Sequence, residues 1–201
     1  VSLLFLAFVT ELSLPLVTVK PVNSGEHKLM WHFLDSHDRA LMMRLQTLPN
    51  PHYWQRSARL FSLSGDGAGY LVFALLMASF DGVSGRQFLW SGLASFAIEL
   101  PLYWLLKNGL KRNRPCHAVL GIAAIVQPHD KFSLPSGHSA AAFVFATLLT
   151  WYWPPLAPIV YLWAGLVGCS RVILGVHYLG DVVAGAALGY WAAKLGIYWL
   201  N

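Results

Sequence analysis

The sequence predicts an all-α, polytopic membrane protein with six transmembrane helices, interfacial helices and a loop flap over one end. Three observations predict it. Of 201 residues, 56% are hydrophobic and only 11% charged. A soluble domain carries about 25% charged residues, so this surface meets lipid more than water. The apolar residues fall into runs near the ~20 residues that cross a bilayer. Aromatic residues gather at the run ends, as in Trp151, Tyr152, Trp153, Trp191 and Trp199, where amphipathic rings sit at headgroup level. Lipid-exposed strands are excluded, because their open backbone groups find no partner in hydrocarbon.

The elements follow in order. Val1–Val19 is the first span, apolar apart from a few hydroxyls and Glu11. The chain opens on Val1, which predicts further residues upstream. Residues 20–57 form an interfacial segment. Within it Leu29, Trp31, Phe33, Leu34, Leu41, Met42 and Leu45 recur at helical spacing among charges, the pattern of helices lying on a membrane surface. Ala58–Phe80 is the second span and carries the Gly-rich stretch Ser64–Gly69. Gln87–Leu106 is the third. Asn108–Leu134 is a loop whose apolar run, Ala118–Val126, makes the flap. Ser139–Trp153 is the fourth span, stopped by Pro154 and Pro155. Leu156–Leu174 is the fifth and Tyr178–Leu200 the sixth. Gly185 and Gly189, four apart among alanines, give the sixth a small-residue packing face. Packing within the chain is the preferred reading of that face over dimerisation; no motif specifies how many chains associate. Residues 1–201 thus read as one membrane-embedded domain.

The formal net charge is +5. No long basic run exists, so nucleic acid is not the expected partner; anionic headgroups or a phosphate-bearing ligand account for the charge better. Cys116 and Cys169 have no metal-ligand spacing and read as two unpaired thiols. No metal cluster is visible, and no cofactor is expected.

Chemistry-bearing residues concentrate in residues 107–181, in three blocks. The first is Lys107-x6-Arg114-Pro115, with Lys111 and Arg112 between. Arginine offers a planar fork to phosphate oxygens and lysine a point charge. The second is Pro135-Ser136-Gly137-His138. Ser136 suits a helix N-cap, free amides at a helix start bind anions, and His138 can protonate a leaving oxygen. The third is Ser170-Arg171-x5-His177-x3-Asp181. His177 and Asp181 share a helix face, so the carboxylate can orient the ring and leave its other nitrogen to attack. With six spans, all three blocks fall on one side of the membrane. At roughly one chance in twenty per fixed residue, eleven such residues in order are not coincidence.

These blocks resemble the signature of the type 2 phosphatidic acid phosphatase superfamily. That group includes bacterial undecaprenyl diphosphate phosphatases, phosphatidylglycerophosphate phosphatases, lipid A phosphatases, glucose-6-phosphatase and vanadium haloperoxidases. The resemblance implies a six-helix membrane core and metal-independent hydrolysis of a lipid phosphate or diphosphate. By motif position it implies that His177 attacks phosphorus, Asp181 orients it, and His138 protonates the leaving oxygen. Lys107, Arg114, Ser136, Gly137 and Arg171 would bind phosphoryl oxygens, while Pro115, Pro135 and Ser170 shape the backbone. A lipid phosphotransferase and a non-catalytic lipid-phosphate binding or transport protein are the alternatives.

Of the 14 Lys and Arg, only Arg86 and Lys194 fall on the side away from the motifs, which by the positive-inside rule would make the motif side cytoplasmic. The resemblance implies the periplasmic or exoplasmic side of a bacterial inner membrane, and that is the expectation adopted. Other polar residues are given smaller parts. His27, His32, His37 and His52 read as interfacial polar groups. His117 and His129 lie in the loop over the motifs. Asp66 reads as a helix-end or packing feature, and Glu11 and Glu99 need partners within their spans.

Overall fold

The computed structural model describes residues 27–46, 51–119, 121–128 and 130–200. The predicted span Val1–Val19, with Glu11, and also His129 lie outside the described residues, as do the side chains of His27 and His32. The helices are α1 (His27–Gln46), α2 (Pro51–Ser64), α3 (Gly67–Phe80), α4 (Gly82–Leu110), α5 (Pro115–Ala118), α6 (Gly137–Tyr152), α7 (Ala157–Ile173) and α8 (Leu179–Leu200). A 3₁₀ turn, Pro154–Leu156, joins α6 to α7. The described residues contain no strand beyond one isolated bridge, Asn113 to Phe132.

The protein is a membrane-integral helical bundle. Among the described residues, two helices are long and apolar enough to cross a bilayer, Gly82–Leu110 and Pro154–Ile173. A third exists if α2 and α3 count together. The sequence predicts one span over Ala58–Phe80; instead a break at Gly65 and Asp66 bends the pair by 47°. The expected boundary after residue 57 falls inside α2. Hydropathy averages over such a break, because the residues on both sides remain apolar.

Helix α6 is the centre, packed by α4, α7 and α8. Its Ala140, Ala142, Val144, Ala146 and Leu148 are buried, so most of its circumference is enclosed by neighbours. Helix α3 packs on α4, and α2 packs on α7. Outer faces carry Leu75, Phe80, Trp90, Trp104, Trp191 and Trp199 exposed, as lipid contact requires.

The small-residue face of α8 acts within the chain. A Cβ at Gly185 would lie 2.3 Å from the Ser136 carbonyl oxygen, and one at Gly189 2.1 Å from that of Ala140. Only glycine admits this approach. It presses the start of α8 onto the first turn of α6, and the Ser136 amide then donates to the Asp181 carbonyl at 2.9 Å. Packing thereby brings the second and third motif blocks together.

The apolar run after α5 is docked on the bundle. Ile122 packs with Met42, Val172, Tyr178 and Val182. The Ile125 amide donates to the Leu174 carbonyl at 3.0 Å. Helix α1 reaches the same corner: Met42 and Asp38 are buried there, and α1 touches α7 and α8.

Candidate active site

His177 sits in the short turn between α7 and α8 and is 2% exposed. Its amide and that of Val176 donate to the Arg171 carbonyl, which ties the turn to the end of α7. The ring lies between two groups. Nδ1 faces Asp181 Oδ2 at 3.6 Å, longer than a hydrogen bond. Nε2 is 3.2 Å from Arg114 Nη1. Burial pushes the imidazole down to about 4; Asp181 opposes that shift, and Arg114 adds to it. The ring is therefore neutral at neutral pH, with a lone pair to offer.

Asp181, on the first turn of α8, is wholly buried. A buried carboxylate must be fully hydrogen-bonded or it costs several kcal/mol, on the order of the desolvation of one ion. Its Oδ2 accepts from the Tyr178 amide at 2.9 Å, and Oδ1 accepts from Arg112 Nη1 at 2.7 Å. Arg112 stacks 4.1 Å over the Tyr178 ring. Its other nitrogen donates to Asp38 Oδ2 at 2.7 Å and to Asp35 Oδ1 at 3.2 Å. Burial works against the charge on Arg112, yet Asp181 and Asp38 raise its affinity for the proton overall. Asp38 also accepts from the Gly180 amide at 3.0 Å.

The remaining cations converge around Asp130, in the loop before α6. Lys107, at the end of α4, donates to Asp130 Oδ2 at 2.8 Å and also to Tyr103 Oη. Arg114 donates to the Asp130 carbonyl at 3.0 Å, to the Val176 carbonyl at 2.7 Å, and to Asp130 Oδ1. Tyr103 donates to Asp130 Oδ2 at 2.8 Å. Burial alone would raise the Asp130 carboxyl; the hydrogen bonds and charges of Lys107 and Arg114 outweigh it and hold it near 2. Two buried cations thus already bracket a planar oxyanion.

Arg171, buried near the end of α7, donates to Ser62 Oγ of α2. A cavity of about 320 Å³ brings Arg171, Arg59, Asp66 and His138 to one wall. His138, on the first turn of α6, has Nε2 3.0 Å from Asp66 Oδ1. Gly137 and His138 also close the end of a larger cleft of about 460 Å³ between α3, α4 and α6. Its walls include Leu71, Phe88, Leu93 and Leu100 with Tyr103 and Glu99 at the motif end. The cleft is mainly apolar, and His138 is part of its lining.

The structure gathers Lys107, Arg114, His177 and Asp181 into one hydrogen-bonded and ion-paired cluster, with Arg171 and His138 on the adjoining cavity. Ser136 is the N-cap of α6: its hydroxyl accepts from the Ser139 amide at 3.4 Å and from the Ser139 hydroxyl at 3.0 Å. Gly137 lies against Tyr103, with its Cβ position 3.1 Å from the ring. His37 and His52 are exposed. His117 lies in α5 and has no part in these hydrogen bonds. Both cysteines are free. Among the described residues, no group of His, Cys, Asp or Glu is placed to hold a metal ion.

Sequence reasoning missed four acids. Asp35, Asp38 and Asp130 carry no motif. Asp66 does stand at a helix end, the N-cap position of α3, but its carboxylate goes to His138. One signal was available: Asp35 and Asp38, three apart on an amphipathic helix, share a face.

Fold and site define an integral-membrane helical bundle with buried cations and a buried imidazole, His177, at one end, and a second imidazole, His138, on the adjoining cavities. The chain belongs to the PAP2 superfamily, whose family model matches residues 88–201. It is 33% identical over 121 residues to decaprenylphosphoryl-5-phosphoribose phosphatase of Mycobacterium tuberculosis H37Rv, over 60% of this chain and 66% of that one. It is 35% identical over 137 residues to phosphatidylglycerophosphatase B of Bacillus subtilis, over 61% of this chain and 64% of the relative. The chain therefore spans slightly less than two thirds of these curated relatives. In three dimensions it resembles a transmembrane PAP2 type phosphatidylglycerolphosphate phosphatase from Bacillus subtilis, with TM-score 0.68 and 24% identity over 98% of this chain and 92% of that one. It also resembles LpxE from Aquifex aeolicus, with TM-score 0.67 and 26% identity over 79% and 93%.

Proposed function

We propose that this chain is a lipid phosphatase that cleaves a phosphate ester or diphosphate through a phosphohistidine on His177. One observation carries the reading. The buried, neutral His177 ring has Asp181 at one nitrogen and Arg114 at the other, and Arg114 is joined through Asp130 to Lys107. Attacker and oxyanion-binding cations are thus one cluster.

The phosphoryl oxygens exchange with the Asp130 carboxylate for Lys107 and Arg114, and Arg171 and the start of α6 at Ser136 and Gly137 complete their enclosure. His177 attacks phosphorus, and Asp181 stabilises the charge that forms on the ring. His138 gives its proton to the leaving oxygen and later takes one from the water that frees phosphate. Cations fixed in a dry site are worth most as charge builds on the equatorial oxygens. The lipid chain lies in the cleft between α3, α4 and α6.

Relatives named for a prenyl phosphoribose, a phosphatidylglycerophosphate and, at 29% identity, a lipid A 1-phosphate favour a bulky lipid headgroup as substrate. The reading includes six spans in a bacterial inner membrane, residues 1–19 being the first, with the site on the periplasmic side. Purified protein offered undecaprenyl diphosphate, phosphatidylglycerophosphate, phosphatidic acid and lipid A should release phosphate from at least one. Binding without release from any would overturn the proposal. A reporter fused at Asn201 tests orientation; activity outside the cytoplasmic membrane would place the site inside.

A further inference from the structure

We infer that Asp66 is the positioning residue of the second histidine: its carboxylate holds His138 in place and keeps it charged as the proton donor. The inference rests on the phosphohistidine reading above.

Asp66 occupies the N-cap position of α3 with extended backbone, φ −77° and ψ 136°, yet its side chain makes no capping hydrogen bond. An N-cap aspartate ordinarily turns back onto its own helix amides, which is worth about 1 kcal/mol. Here that contact is forgone. The carboxylate instead reaches His138, 72 positions away in sequence, at 3.0 Å. Asp66 stands at the 47° break between α2 and α3.

The surroundings of His138 require such a partner. Arg59 and Arg171 line the smaller cavity beside it, and two guanidiniums disfavour a proton on the ring. From the larger cleft it faces Tyr70, Glu99 and Tyr103. The Asp66 carboxylate is in contact with the ring and opposes the two arginines. The pair is open, with side-chain exposures of 21% for His138 and 54% for Asp66, so it adds little to stability. Its value lies in catalysis.

The step balances as follows. As His177 nitrogen bonds phosphorus, the P–O bond to the lipid breaks and its electron pair goes to the leaving oxygen. One proton of the His138 imidazolium passes to that oxygen, leaving a neutral ring beside Asp66. In the second half, the neutral ring takes a proton from water as its oxygen bonds phosphorus. The P–N bond breaks, its electrons return to His177, and the His138–Asp66 ion pair is restored.

The test uses the full chain in detergent with Asp66→Asn, Asp66→Glu and His177→Ala, each on two probes. Phosphatidic acid has an alkoxide leaving group that needs a proton; p-nitrophenyl phosphate has one that does not. General acids contribute about 10²- to 10⁴-fold. Asp66→Asn should lower kcat on phosphatidic acid by about tenfold or more and on the aryl ester by less than about threefold. Its alkaline limb on phosphatidic acid should move to lower pH, and Asp66→Glu should recover part of the loss. Unchanged kcat and pH profile in Asp66→Asn, with His177→Ala inactive, would overturn this inference alone. Equal losses on both probes would assign Asp66 a structural part and also overturn it. Turnover retained by His177→Ala would instead overturn the phosphohistidine reading beneath it.

Discussion

The two histidines of the site live in opposite settings. His177 is enclosed on all sides, and its orienting carboxylate belongs to a chain of contacts through Arg112 to Asp38 and Asp35 on α1. His138 faces two cavities and is held by Asp66 at the edge of the bundle. Burial keeps the first ring neutral in spite of a carboxylate. The second ring is open to proton exchange with solvent and has the Asp66 carboxylate beside it. In the proposed mechanism, nearly the same His–Asp pairing serves an attacker in one place and a proton donor in the other. Desolvation decides which.

That contrast can be broken most sharply at the attacker. His177→Ala should abolish phosphate release and the trapping of labelled phosphoenzyme, because the covalent route is gone. The next largest effect should come from the cation beside it. Arg114→Ala should lower kcat/KM by about 10²- to 10³-fold, the usual cost of one oxyanion donor, measured by initial rates on the best lipid of the panel.

The burial itself is open to a stability measurement. The His177 value in the folded protein, about 4, lies below its ordinary 6.5. The unfolded chain then binds the extra proton between those values, so stability rises with pH across that window and levels off above 6.5. Thermal unfolding in detergent should show a loss of about 3 kcal/mol as pH falls through 4, taking 1.36 kcal/mol per pH unit. His177→Asn should flatten that slope, and His138→Asn should not. The smallest effect should come from α1. Asp38→Asn leaves Arg112 its bonds to Asp181 and Asp35, so activity should fall by about tenfold or less, in line with one charge-assisted hydrogen bond. A loss as large as that of Arg114→Ala would mean that Asp35 cannot replace Asp38 in holding Arg112 on Asp181.

Much of the attacking side was legible in the sequence. Lys107, Arg114, Arg171, His177 and Asp181 sit in short blocks that the fold largely brings together, although His177 lies in the turn before α8 and not on the helix face it was expected to share with Asp181. What holds them was not legible. Asp130 meets Arg114 across 16 positions, Asp66 meets His138 across 72, and Asp38 meets Arg112 across 74. Single acids at such separations leave no periodic trace. Among the described residues α4 and, with the 3₁₀ turn before it, α7 are long and apolar enough to cross a bilayer, and the helices α4, α6, α7 and α8 all followed from apolar run length. The division of α2 from α3 did not, because Gly65 and Asp66 interrupt hydrogen bonding without interrupting hydropathy. Helix α1 read as a surface element, yet its buried edge is set by Asp38 and Met42, which only the tertiary fold distinguishes from the helix's other positions.

The guanidinium of Arg112 is shared among three carboxylates, two of them on α1. Those two lie ahead of residue 88, where the match to the family begins. Grafting a foreign amino-terminal third onto this chain would leave every signature residue intact and still loosen the grip on Asp181. Chimeras built on motif boundaries alone would thus inherit the reactive groups without their full electrostatic scaffolding, and a slow enzyme would result from parts that each look correct.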